Sequence, residues 1–249
     1  MDLIEKPRTL AQRHPWETSR FDFLLRILQR AKALSSGQRV LDVGSGDAWF
    51  AKQLIANTPN EIKLTCWDKG YSESEVTHPE KHDARIDWVR ERPAERFNLL
   101  LLLDVLEHIS EDHEFLKDTV SRNAGPKSLM LVTVPCWPSL FGPHDVHLQH
   151  VRRYRPKDCR NLLTSTGLSI LREGSFFHVP FLARGCAVLG EKLGFVRKPP
   201  KDMGQWEYGA GVTQVVRSVL SIDNRMSEVF SRWGWPVPGL SYWALCQKK

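Results

Sequence analysis

The chain has 249 residues, of which 41% are hydrophobic and 26% charged, and its formal net charge is +6 at neutral pH. These proportions are those of an ordinary globular protein that is long enough to bury one large core. No apolar run approaches the roughly 18–20 residues of a membrane span, and the first 13 residues lack the apolar stretch of a secretory signal. The five cysteines are scattered without a Cys-x-x-Cys pair, which argues against a disulfide framework and favours a cytoplasmic location.

Helix-like and strand-like segments alternate along most of the chain. The first predicted element is an amphipathic helix at 15–35 with a capping box at Ser19 and Asp22. The predicted strands are 39–43, 63–67, 85–89, 99–103, 129–134, 168–177 and 241–246. The further predicted helices are 48–55, one after Ser110, one from Pro156 to Gly167, and two at about 181–193 and 212–233. Such alternation predicts a doubly wound α/β fold with a mostly parallel sheet.

One segment departs from this alternation. Residues 180–238 hold two helix-like stretches in succession, so we predict that they form a helical lid insertion over the sheet edge. The prediction is a single domain, 1–249, whose sheet core comprises 38–178 and 239–249.

The most informative segment is Val40 to Asp47, in which an apolar strand runs into Gly44, Ser45 and Gly46 and then a helix. Glycines in such a turn let a ligand approach the bare backbone, and the following helix directs its N–H groups at that ligand. A dinucleotide-binding fingerprint would place a third glycine where this chain has Trp49. The turn therefore favours a nucleoside ligand without a pyrophosphate bridge.

Acidic residues follow or lie within the neighbouring strands. Asp68 comes 22 residues after Gly46 at the end of the second strand, where a carboxylate can accept hydrogen bonds from a ribose diol. A solvated strand-end aspartate is the alternative interpretation of this residue. Asp42 lies inside the first strand, and a buried carboxylate there needs hydrogen-bond partners from the turn or a ligand.

The segment Asp104 to Ile109 follows the most apolar strand and so lies at the carboxyl edge of the sheet, where open α/β sheets bind ligands. His108 is a candidate general base, although a helix-capping role is equally compatible with its position. Asp104, Glu107 and His108 also have a helical spacing suited to metal ligation. Such triplets are common near helix starts for capping reasons, so we predict no metal.

Residues 144–155 form the most polar loop. His144 and His147 are candidate acid/base groups, ahead of His108. His150, Arg153 and Tyr154 are candidate substrate contacts, with packing and solvation as the alternative. Near the N-terminus, Trp16 and Arg20 follow His14 and are predicted to close over the ligand, with packing on the sheet edge as the alternative.

The glycine turn, Asp68 and the Asp104 to Ile109 segment together resemble the class I S-adenosylmethionine-dependent methyltransferases, and most closely the small-molecule type that includes ubiquinone-biosynthesis O-methyltransferases. The resemblance covers about residues 38–178 and the final strand. It implies a seven-stranded Rossmann-like sheet whose last strand is antiparallel. It also implies S-adenosyl-L-methionine as cofactor, with its methionine moiety over Gly44 to Gly46, its ribose on Asp68, and its sulfur near Asp104 and Val105.

Methyl transfer from a sulfonium is an in-line displacement, so the protein has mainly to orient a nucleophile and exclude water. We predict a small-molecule acceptor with a hydroxyl or carboxylate. Phe176, Phe177, Phe181 and Trp206 favour an aromatic or lipid-like acceptor. Peripheral membrane contact is compatible with the sequence, and no nucleic-acid partner is expected. The alternatives are an RNA-modifying methyltransferase that uses Arg152, Arg153 and Arg155, an NAD-dependent oxidoreductase, and a catalytically silent scaffold that binds the cofactor.

Overall fold

A computed structural model describes residues 13–58, 61–77, 83–192, 206 and 208–249. The helices in this part of the chain are α1 (Pro15–Arg30), α2 (Trp49–Ala56), α3 (Glu73–Thr77), α4 (Asp112–Asn123), α5 (Pro143–His147), α6 (Pro156–Ser165), α7 (His178–Lys192) and α8 (Ala210–Trp233). The strands are β1 (Arg39–Val43), β2 (Lys63–Trp67), β3 (Ile86–Val89), β4 (Phe97–Leu103), β5 (Ala124–Pro135), β6 (Leu168–Phe176) and β7 (Ser241–Lys248). No helix in these ranges has both the length and the apolar character needed to cross a bilayer.

All seven strands form one sheet in the order β3-β2-β1-β4-β5-β7-β6. The strands from β3 to β5 are parallel to one another, and β7 pairs antiparallel with both β5 and β6. This arrangement confirms the predicted seven-stranded, mostly parallel fold with an antiparallel last strand. The strand order reverses between β1 and β4, and ligands of open α/β sheets bind outside the carboxyl ends of the strands at such a point.

Apolar side chains cover both faces of the central strands, as a parallel sheet requires. In β4 the run Leu99–Leu103 alternates between the two faces: Leu99, Leu101 and Leu103 pack with α1 and α2, whereas Leu100 and Leu102 pack with α4 and α6. The sheet is therefore held rigidly between two hydrophobic layers, and its carboxyl edge is a firm base for the loops that follow the strands.

The first helix begins earlier than its predicted capping box. Proline at the first helical position starts α1 at Pro15, and the His14 ring accepts a hydrogen bond from the Trp16 N–H. Ser19 lies inside the helix, where its hydroxyl donates to the Pro15 carbonyl. The predicted capping box at Ser19 and Asp22 is therefore wrong, because the proline and a histidine cap supply the start signal one turn earlier.

The two helices of the predicted lid, α7 and α8, pack against different parts of the fold. α8 packs along α1 and β6, where Leu220 enters the main core. α7 contacts the 3-10 turn Pro138–Leu140 that follows β5, where Phe181 packs against Trp137. The segment 193–205 and residue 207, which the lid prediction includes, lie outside the described residues. The lid itself stays a prediction.

Candidate active site

The glycine turn connects β1 to α2 through three left-handed backbone positions. Gly44 and Gly46 have φ values of 62° and 55°, and Ala48 has 53°. The Gly44 N–H donates to the Trp67 carbonyl at 2.8 Å, which ties the turn to the end of β2. A Cβ atom on Gly44 would lie 3.0 Å from a methyl of Val105, so glycine is needed for both the conformation and the space.

Asp68 fastens the same turn from the end of β2. Its Oδ2 accepts from the Gly46 N–H and its Oδ1 from the Gly70 N–H, both at 2.8 Å. Ser45 is buried, and its hydroxyl lies 2.6 Å from the Tyr71 hydroxyl. The sequence therefore placed Asp68 correctly beside the turn, and the structure adds Tyr71 as a second contact that the spacing gave no reason to expect.

A crevice opens between this turn and α1. Five of the residues predicted to bind the cofactor line it: Trp16, Arg20, Asp42, Gly44 and Ser45. The structure thus brings Trp16 and Arg20, which are distant in sequence, to the glycine turn.

The remaining predicted cofactor residues, Asp104 and Val105, lie at the carboxyl end of β4. Arg20 Nη1 is 2.7 Å from Asp104 Oδ2, and Arg20 Nη2 donates to the Thr133 hydroxyl at 2.7 Å. Thr133 in turn donates to Asp104 Oδ1 at 2.8 Å. Asp104 has a φ of 58° and is held by these bonds. Arg20, which lines the crevice, therefore joins α1 to β4 and β5.

Three further charged residues line the crevice and were not predicted as site residues: Arg13, Glu17 and Asp47. Arg13 forms ion pairs with Glu17 and with Asp47, and its guanidinium lies 4.5 Å from the centre of the Trp49 ring. Burial raises the pKa of Glu17 to about 7, although Arg13 opposes that shift. Burial likewise raises the pKa of Asp42 to about 7, and the Asp68 carboxylate adds to the shift.

The loop after β5 is organised by Asp145, whose side chain is fully buried. Its Oδ1 accepts from His150 Nδ1 at 2.9 Å and from Arg153 Nε at 2.7 Å, and its Oδ2 accepts from the Gly142 N–H at 2.9 Å. Burial alone would raise the pKa of Asp145, but these hydrogen bonds and the guanidinium charge lower it to about 2. Asp145 is therefore an ionised hub that holds two predicted substrate contacts in place.

Tyr154 and Arg152 fasten the end of this loop to the segment after β4. Tyr154 is buried, and its hydroxyl donates to the Leu106 carbonyl and to Asp112 Oδ2, the latter at 2.6 Å. Arg152 bonds to Asp112 and to the Ser110 carbonyl. The Tyr154 hydroxyl thus serves bonds within the protein, and substrate contact by Arg153 and His150 stays a prediction.

The three candidate bases lie on two elements and differ in exposure. His144 and His147 lie on the short helix α5, with His144 half-buried and His147 exposed. His108 lies in the 3-10 turn Leu106–His108, and its ring meets the His150 ring edge-on, with 4.7 Å between ring centres. His150, predicted as a substrate contact, is thus the partner of His108.

Two aromatic residues that had suggested the acceptor class belong to the core. Phe176 and Phe177 are fully buried, and they stack on Phe23 and Trp16 respectively. These two rings therefore give no support to an aromatic or lipid-like acceptor, which stays a prediction, because periodicity cannot tell a buried strand end from a pocket wall.

Comparison with known proteins identifies the family. A model of the methyltransferase domain matches residues 16–173. No curated protein matches the chain.

Solved structures share the fold at low identity. A provisionally named sarcosine dimethylglycine methyltransferase from Galdieria sulphuraria is 13% identical, with a TM-score of 0.55 over 92% of this chain and 84% of that one. Coclaurine N-methyltransferase with bound N-methylheliamine and S-adenosylhomocysteine (SAH) is 12% identical, with a TM-score of 0.53 over 92% and 70%. A 1,6-didemethyltoxoflavin-N1-methyltransferase from Burkholderia thailandensis, with bound 1,6-didemethyltoxoflavin and SAH, is 14% identical, with a TM-score of 0.50 over 90% of this chain and 76% of that one.

The turn and crevice fit the cofactor that this family uses. Bare backbone at Gly44, a carboxylate at the end of β2 and a crevice beside the turn occur at the switch point of the sheet. The family model spans more than half of the chain. The chain belongs to the methyltransferase-domain family and is an S-adenosyl-L-methionine-dependent methyltransferase.

Proposed function

We propose that this enzyme methylates an oxygen atom of a small molecule. The observation that carries the proposal is the position of the histidine-rich loop 136–155, which is anchored by Arg152 and Tyr154 to the segment that follows Asp104. Imidazole groups are thereby held at the same sheet edge as the cofactor crevice, and imidazoles can take up a proton near neutral pH.

The cofactor would be held by the turn and by α1. The Gly44 and Ser45 backbone would support the amino-acid moiety, and the Asp68 carboxylate, which already bonds the turn, would accept the ribose hydroxyls. Trp16 and Arg20 would cover the crevice from α1. When bound, the cofactor supplies a sulfonium methyl group that is already activated for displacement.

The chain's own residues have to orient the acceptor and accept its proton. In an in-line displacement the acceptor oxygen would take the methyl group from the sulfonium, which would become a neutral thioether, and an imidazole of the chain would take up the hydroxyl proton. We assign this base to His144 first, then to His147 and His108. A base so placed contributes about 10²–10⁴-fold, whereas a carboxylate acceptor would need none.

Small-molecule acceptors agree with the ligands named for the two nitrogen methyltransferases of similar fold, which were crystallised with N-methylheliamine and with 1,6-didemethyltoxoflavin. α7, which lies beside the turn after β5, would help to select the acceptor. The cytoplasmic location and any peripheral membrane contact stay predictions.

The RNA-modifying alternative has less support. Arg152 pairs with Asp112, and Arg153 pairs with the buried Asp145, so two of the three arginines that suggested RNA contact are neutralised within the protein. RNA affinity that falls steeply with salt would nevertheless favour that alternative.

A methyl-transfer screen tests the proposal directly. The protein is incubated with methyl-labelled S-adenosylmethionine and separate panels of phenols, alcohols, carboxylic acids, amines and RNA. Label in an ether or ester product supports oxygen transfer, whereas label only in amines or RNA overturns it. With an alcohol or phenol acceptor in hand, His144→Ala should lower kcat without changing SAH affinity, and exposed His113→Ala should retain full activity. Full activity of His144→Ala would remove it from the list of bases.

A further inference from the structure

We propose that Glu107, His108 and His150 form a binding site for one divalent metal ion, best suited to zinc. One potential ligand atom from each residue lies within 4.8 Å of the other two. Zinc bonds of about 2.0–2.1 Å in tetrahedral geometry set donor atoms roughly 3.3 Å apart, so small side-chain movements would complete the site. Two imidazoles and one carboxylate are a ligand set that zinc uses with a fourth, open position.

Glu107 is the residue whose surroundings most need an explanation. Its side chain is fully buried, yet neither carboxylate oxygen has a hydrogen-bond partner on another described residue. Buried carboxylates are normally paired or coordinate metals, because leaving them unpaired in an apolar interior is costly. A cation between Glu107 and the two imidazoles would satisfy this group.

His150 is already oriented as a metal ligand. Its Nδ1 lies 2.9 Å from Asp145 Oδ1. A neutral imidazole that donates its Nδ1–H to this carboxylate oxygen has its Nε2 lone pair available for a metal. Metal-binding histidines almost always donate their other ring N–H to a carboxylate or carbonyl in this way.

Nearby cations do not oppose a metal strongly, because each has its own carboxylate. Arg153 lies near Glu107 but pairs with Asp145 at 2.7 Å, and Arg20 pairs with Asp104 at 2.7 Å. The Asp104 carboxylate adds negative potential at Glu107. The charges around the three ligands therefore favour a cation.

The structure also changes which residues belong to the group. The helical spacing had suggested Asp104, Glu107 and His108, but Asp104 is engaged by Arg20 and Thr133. His150 replaces it from a loop 42 residues beyond His108. Sequence spacing missed the site because its third ligand, His150, lies in the loop after β5, whereas Glu107 and His108 precede β5 in the chain.

Metal binding is measured on the untagged full chain after treatment with a chelator, by calorimetric titration with Zn²⁺ and by the visible absorption of bound Co²⁺. We expect one equivalent of Zn²⁺, and a Co²⁺ spectrum of four-coordinate type. Glu107→Gln and His150→Ala should each weaken Zn²⁺ binding more than tenfold. Asp145→Asn should weaken it about 10–100-fold, as loss of a supporting carboxylate does.

The matched control is His113→Ala, which removes an exposed histidine that lies 3.2 Å from the Glu114 carboxylate. It should leave Zn²⁺ affinity unchanged. The proposal is overturned if the wild-type protein takes up no zinc, or if His113→Ala abolishes binding while Glu107→Gln does not. Circular dichroism checks that each variant folds. If Glu107→Gln does not fold, the proposal is judged on the wild-type Co²⁺ spectrum, which should be of four-coordinate type.

Any use of the metal in the reaction, such as polarising an acceptor hydroxyl, rests on the proposed oxygen transfer. A metal on His108 would leave His144 and His147 as the candidate bases, because a metal-bound imidazole nitrogen cannot take up a proton. The binding measurement does not rest on it. Zinc binding without oxygen methylation would refute the proposed function alone, and oxygen methylation by a protein that binds no zinc would refute the metal site alone.

Discussion

Gly44 combines a backbone requirement with a packing requirement at a single residue. Its φ is 62°, and an added Cβ would meet Val105 at 3.0 Å. Gly37 has a φ of 76° but open space around the same position, so it isolates the backbone cost. We expect Gly37→Ala to lower the free energy of unfolding by about 1–2 kcal/mol without affecting SAH binding.

Gly44→Ala should cost more stability than Gly37→Ala and should also weaken SAH binding, since Val105 and the turn must shift. Urea unfolding and calorimetric titration with SAH measure the two effects. Equal stability costs for both variants, together with unchanged SAH affinity, would show that the ligand does not lie on this turn.

Asp68 acts through hydrogen bonds that can be removed one residue at a time. Asp68→Ala deletes the acceptor of the Gly46 and Gly70 N–H groups and should lower SAH affinity about tenfold or more. Asp87→Ala, which removes an exposed carboxylate on the neighbouring strand β3, is the control and should bind SAH normally. Retained affinity in the Asp68 variant would refute its assignment to the ribose.

The buried carboxyl of Asp42 predicts a pH dependence of stability. Burial raises its pKa from 3.8 to about 7 in the folded protein, so the folded state binds the proton more tightly than the unfolded state does. Stability should therefore fall as pH rises from about 4 to about 7, by at most about 1.4 kcal/mol per pH unit from this group.

Glu17, whose pKa is also raised to about 7, contributes a slope of the same sign. Urea unfolding of the wild type and of Asp42→Asn between pH 5 and 8 measures the difference. The slope should be smaller in Asp42→Asn, and an identical slope in both proteins would show that Asp42 does not titrate in this range.

At the scale of elements, the loop after β5 depends on a buried charge. Asp145→Ala leaves Arg153 and His150 without their acceptor, and breaking a buried ion pair in this way costs about 3–5 kcal/mol. Asp118→Ala removes a carboxylate that also pairs with two arginines, but at the surface, where such pairs are worth about 0–1 kcal/mol. Urea unfolding should show this contrast, and equal losses would contradict the assignment of Asp145 as a hub.

The elements themselves were largely predictable, because they depend on local pattern. β1 and β2 have the bounds that the sequence indicated. β5 begins at Ala124 rather than at 129. Its first residues include Gly125 and Pro126, which are not typical of a strand, and the register between β4 and β5 shifts between Phe97 and Leu99 of β4.

The site was predictable only where its residues directly follow strands. Gly44, Asp68 and Asp104 were predicted for that reason, and the structure places them at one edge of the sheet. Thr133 and Asp145 take their roles from contacts with distant segments, and periodicity carries no information about such contacts. Arg13 likewise meets Asp47 only through the fold.

For the molecule as a whole, the position of α1 connects the core to the crevice. Glu228 on α8 is buried and pairs with Arg26 and Arg30, and Asn224 bonds the Ser19 carbonyl. These bonds fix α1 along α8, and α1 presents Trp16 and Arg20 to the glycine turn. Ligand binding should therefore stabilise the whole fold rather than one loop.

Thermal unfolding with SAH and, separately, with NADH tests whether ligand binding stabilises the whole fold. It also tests the alternative that the turn binds a dinucleotide. A ligand at 100 times its Kd stabilises the folded state by about 2.7 kcal/mol. For a chain of this size that corresponds to a rise in Tm of roughly 5–10 °C. We expect SAH to produce such a rise and NADH to produce none, because Trp49 occupies the position where a dinucleotide turn needs glycine. At the same SAH concentration Asp68→Ala should show a smaller rise, and a shift with NADH alone would mean that the turn binds a dinucleotide after all.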